Sequence, residues 1–100
     1  MPAVAIHDIR RTLSAEAFVE LKVWEVPEPV RGSDHQYEYR LVLVVNDRCV
    51  LRYDNETGKG DHKHVGADEL EKPYHFVSPQ QLLDDFFADV ATWLAMRTER

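Results

Sequence analysis

From Tyr37 to Val45 the chain sets Tyr37, Tyr39, Leu41, Leu43 and Val45 against Glu38, Arg40, Val42 and Val44, the period-two pattern of a strand with a mixed second face. Asn46-Asp47 is a turn pair before another β-rich run, Arg48 to Tyr53, so the two segments predict an antiparallel hairpin. Upstream, Ala17 to Val26 is also strand-like. Val4 to Leu13 either pairs with it across Ser14-Ala15-Glu16 or forms a helix. Pro27, Pro29 and Gly32-Ser33-Asp34 mark a loop, because proline cannot donate to a ladder and glycine favours turns. Downstream, Tyr74 to Val77 reads as a short extended piece. Ser78-Pro79-Gln80-Gln81 then supplies an N-cap, a proline at the first helical position and a capping-box glutamine. Leu83, Phe86, Phe87, Val90, Trp93 and Leu94 fall on one broad stripe, with Asp84, Asp85 and Thr92 away from it, through about the chain's end. The expected fold is α+β, an antiparallel β-meander of about four strands covered on one face by a C-terminal α-helix.

Composition narrows the class. A chain of 100 residues with 44% hydrophobic and 30% charged positions fits a single soluble domain over residues 1–100, not a disordered or membrane-spanning chain. The start, Met1 to Asp8, lacks the positive charge and long apolar core of a signal peptide, so the expected location is cytoplasmic, with no membrane partner. The single cysteine, Cys49, cannot form an internal disulfide, and its expected role is that of a small buried hydrophobe. The net charge of −6 argues against a general nucleic-acid binder, which needs a basic patch. A short meander with one covering helix leaves a sheet face to hide, so a homodimer is also expected.

Chemistry outweighs packing in one stretch, Tyr53 to Val65, where a strand runs into a polar segment carrying Gly58, Lys59 and Gly60 ahead of Asp61-His62-Lys63-His64. In an extended segment His62 and His64 point the same way, with Cβ atoms roughly 6 to 7 Å apart, and Lys63 points oppositely. In a coiled loop all three could line one pocket. Three readings stay open for the pair. The first is general acid–base catalysis of metal-independent RNA cleavage, with Lys59, Lys63, Arg40 or Arg52 stabilising phosphate charge. The second is a metal site that adds Asp54, Asp61 or His75, although His-x-His alone is a weak metal signal. The plainest is a solvated loop in which Asp54, Asn55 and the glycines only make turns. Core packing is the favoured role for Phe76, and Trp24 and Trp93 are assigned to no site.

Several motifs together resemble the TumE family of small toxins encoded in bacterial and archaeal toxin–antitoxin modules. They are Val23-Trp24-Glu25-Val26-Pro27, Tyr39-Arg40-Leu41, Arg52-Tyr53-Asp54-Asn55, Gly60-Asp61-His62-Lys63-His64, and Tyr74-His75-Phe76 leading into Ser78-Pro79. The resemblance implies a neutralising antitoxin partner, small and DNA-binding, and growth arrest through RNA or translation. The expectation is therefore a ribonuclease toxin that uses His62 and His64 for proton transfer, with Asp54 orienting one of them. Arg40, Arg52 and Lys63 would bind the phosphate of an RNA substrate, with no metal and no cofactor. The rivals are a non-catalytic protein-binding or regulatory module, and a metal-dependent hydrolase or nucleotide-modifying enzyme.

Overall fold

The computed structural model describes residues 3–56, 60–66 and 70–98. Strands β1 (Val4–Thr12), β2 (Ala17–Glu25), β3 (Tyr37–Val45), β4 (Arg48–Asp54), β5 (His62–Val65) and β6 (Leu70–Pro73) precede helix α1 (Pro79–Thr98). The strands lie in one sheet in chain order, each antiparallel to its neighbours. The α+β class is as expected, but the meander has six strands among the described residues where about four were expected. The added pair is β5 and β6. The His62–His64 segment is a strand, and the extended piece Tyr74 to Val77 is irregular.

The first segment is a strand, closed onto β2 by Leu13 and Ser14 amides that both donate to the Ala17 carbonyl. Asn46 and Asp47 both take positive φ, 51° and 64°, the backbone of a two-residue hairpin turn that follows the twist of its strands. Ala17, Val19, Leu21 and Val23 of β2, Tyr39, Leu41, Leu43 and Val45 of β3, and Leu51 and Tyr53 of β4 form the core face. Leu82, Phe86 and Val90 of α1 close over it. Leu82 joins the buried stripe although the sequence pattern began at Leu83. Ser78 Oγ caps the helix by accepting the Gln81 amide at 3.1 Å, but the Gln81 side chain donates forward to Asp85, so only half of the capping box forms. Cys49 is half-buried, not enclosed. Among the described residues no helix is long and apolar enough to cross a membrane.

Candidate functional site

The antiparallel register settles which polar side chains share a face. Asp54 lies directly opposite His62, and Arg52 opposite His64, on β4 and β5. Arg40 of β3 is opposite Asp54 and also opposite Lys22 of β2. Side chains opposite one another stand on the same side of the sheet, so Lys22, Arg40, Asp54 and His62 form a row across the face that α1 leaves uncovered. His64 and Arg52 continue it in the next row, and Glu71 of β6 is opposite His64.

Asp54 and His62 are both buried, at 3% and 4% exposure. His62 Nδ1 lies 2.9 Å from the Gly60 carbonyl. Because a carbonyl only accepts, Nδ1 carries the proton of that bond, which turns Nε2 toward Asp54 Oδ1 at 3.1 Å. Arg52 Nε sits 3.0 Å from the other carboxylate oxygen, so the charge on Asp54 is held between a guanidinium and an imidazole. Neither contact is aligned as a hydrogen bond: Asp54 Oδ1 and Arg52 Nε are buried without such a partner among the described residues. The His62 and His64 rings meet edge to face with centroids 5.1 Å apart. His64 Nε2 is 3.4 Å from Glu71 Oε2, and its buried Nδ1 has no hydrogen-bond partner among the described residues.

Backbone geometry at Gly60 supports this arrangement. Its φ of +87° suits glycine, and a Cβ there would lie 2.9 Å from the Gly32 carbonyl oxygen. Gly60 therefore lets two loops pass in contact while aiming its own carbonyl at His62.

Asn55, expected to be a turn former, is fully buried. Its Oδ1 accepts the Tyr39 amide at 3.0 Å, and Nδ2 donates to the Tyr37 carbonyl at 2.8 Å and to Ser33 Oγ at 3.2 Å. The side chain thus continues the β3–β4 pairing beyond the last residue of β4.

Of the expected site residues, the fold brings His62, His64, Asp54, Arg52 and Arg40 onto one face. Lys63 is on the other face, where its Nζ pairs with Asp89 of α1 at 3.0 Å and approaches the Tyr53 hydroxyl, so the fold separates it from the histidines. Lys59 lies outside the described residues. Asp61 and His75, weighed as metal ligands, also stand apart from the pair. Asp61 accepts from Ser33 Oγ and contacts His35 Nε2 at 2.8 Å, while His75 lines a recess with Asp61, Tyr74 and Phe76.

Three residues were not singled out from sequence. Glu71 reaches His64 only through the β5–β6 register. His35 meets Asp61 across 26 positions and stacks on Phe76 at 3.8 Å, a pairing no local pattern signals. Glu56 is pushed above the ordinary carboxylate range by desolvation and then by Glu38 and Asp54, against Arg40 and Lys22, which pull it down.

A family model described as toxin TumE matches residues 3–94. No curated protein and no solved structure matches the chain.

Proposed function

The chain belongs to the TumE family of toxins from toxin–antitoxin modules, and from that premise we propose that it arrests growth by metal-independent cleavage of RNA on the open sheet face. The observation that carries this reading is the convergence of His62, His64, Asp54 and Arg52 on one face, with the two imidazoles in contact. In such a cleavage a base removes the 2′-hydroxyl proton, the oxygen attacks the adjacent phosphorus, and an acid protonates the departing 5′ oxygen. The side chain of His64 is more exposed than that of His62, 14% against 5%, so His64 meets the substrate first. His62 shares the acid–base duty, its ring fixed by Asp54 and the Gly60 carbonyl. Arg52 and Arg40 supply positive charge where the phosphate becomes crowded. Lys63, tied to Asp89 across the sheet, is omitted from this role.

The test is induced expression of the natural chain and of His64→Ala, each checked by circular dichroism, with RNA integrity as the readout. The natural chain should arrest growth and leave cleaved RNA, and the folded variant should do neither. Full arrest by a folded His64→Ala would refute the reading. Purified protein should keep its activity in chelator, whereas loss there would favour the metal-dependent hydrolase.

The antitoxin is the partner the family implies, and we propose that it is small and DNA-binding. A non-catalytic reading draws on β1, an edge strand whose Val4, Ile6 and Ile9 are exposed and which could take up a partner strand. A homodimer belongs to the same proposal, and light scattering in solution would contradict it by showing a monomer.

A further inference from the structure

We propose that His62, His64 and Glu71 form a binding site for one divalent transition-metal ion of the zinc type, and that the occupied site blocks proton transfer by the two histidines. The binding site stands on geometry alone; its inhibitory consequence rests on the RNA-cleaving reading.

One ligand atom from each of the three residues lies within 4.8 Å of the other two. A four-coordinate ion with bonds of about 2.0 to 2.1 Å spaces its ligands about 3.3 Å apart. His64 Nε2 and Glu71 Oε2 already stand 3.4 Å apart. The longest edge the cluster allows needs about 1.5 Å of side-chain adjustment to close. Two imidazoles and one carboxylate make a donor set that binds Zn(II), with a fourth position left for water. Alternation along β5 aims both imidazoles one way, and the β6 register brings the carboxylate to them.

Two further observations favour a cation. His62 gives its Nδ1 proton to the Gly60 carbonyl, the outer contact that fixes a metal-binding histidine and frees its other nitrogen. Beside that nitrogen lies Asp54 Oδ1, 3.1 Å away, buried and without a hydrogen-bond partner among the described residues. Its charge would stabilise an ion. Exposure rises from His62 through His64 to Glu71, from 5% to 14% to 41% of the side chain, which gives the ion a route in from the β6 edge. A bound ion uses the nitrogen lone pairs that proton transfer requires, so the loaded protein would be the inactive form.

Tag-free, full-length protein stripped with chelator would be titrated with Zn(II) by calorimetry and with Co(II) by visible absorption. One ion per chain is expected, with the ligand-field bands of four-coordinate Co(II). Glu71→Gln, which keeps the shape of the side chain and removes its charge, should weaken binding at least tenfold, and His64→Ala should remove the Co(II) bands. No saturable binding, or Glu71→Gln binding as tightly as the natural chain, would overturn the site. Loss of growth arrest in His64→Ala without any metal binding by the natural chain would overturn the metal site and leave the catalytic reading standing.

Discussion

Replacing Asn55 by alanine should cost stability far beyond what its polar side chain suggests. Only one orientation of the amide suits its surroundings: Oδ1 faces the Tyr39 N–H, and Nδ2 faces the Tyr37 carbonyl and Ser33 Oγ. Asn55→Ala leaves the Tyr39 amide, beneath a fully buried residue, without an acceptor. A buried polar group stripped of its partner costs about 1 to 3 kcal/mol. The Tyr37 carbonyl adds about 1 kcal/mol because its residue is only half-buried, and the Ser33 hydroxyl can turn to another partner. The sum is about 3 kcal/mol, against about 5 to 15 kcal/mol for a whole domain. For a chain of this size that lowers the melting temperature by about 12 to 24 °C. Asn55→Asp should do no better, since it sets a second acceptor against the Tyr37 carbonyl. Urea and thermal unfolding followed by circular dichroism would check both variants. A loss under about 1 kcal/mol for alanine, or full stability for aspartate, would show that this amide does not extend the β3–β4 ladder.

Gly60→Ala should destabilise the fold by about 2 kcal/mol or more, since a positive φ strains alanine and the new Cβ would press on the Gly32 backbone; a melt unchanged from the natural chain would contradict this. Tyr39, Tyr53 and Tyr74 all have phenols raised above the ordinary range, each first by burial, and then by the Asp61 charge, the Asp89 hydrogen bond and the Asp85 hydrogen bond respectively. Raised acids contribute stability that is complete below their ordinary value of about 10 and is lost as pH climbs above it. The phenolate absorbance of these three should therefore appear together with unfolding; absorbance that rises fully while the circular dichroism stays native would contradict the burial argument. Lys63→Met should lower the melting temperature through loss of the Asp89 contact yet leave growth arrest intact, and a folded variant without toxicity would return Lys63 to the functional surface.

Much of the scaffold was legible because it obeys local rules. The alternation from Tyr37 to Val45 names its own buried face, Asn46-Asp47 tolerates the positive φ of its turn, and Ser78-Pro79 starts the helix where it caps it. The segments that misled are short and polar. His62–Val65 has four residues and one aliphatic side chain, too little pattern to announce a strand. It becomes one because the open edge of β4 offers unpaired amides and carbonyls, and pairing there satisfies them. Asn55 reads as a turn former for the same reason: its residue type favours turns locally, and only the approach of Tyr37 and Tyr39 gives its amide a ladder to extend.

Sequence alone determined that residues two apart, His62 and His64, share a side if the chain is extended, because the strand period is two. It also determined the residue types available for proton transfer and phosphate binding. Tertiary structure decided that the segment is extended, that Asp54 and Arg52 face the pair, that Lys63 is drawn to Asp89, and that Glu71 arrives beside His64. These are consequences of register between strands and of a helix crossing one face. Register is a property of two segments, fixed by the burial of a whole face, and neither segment carries it alone.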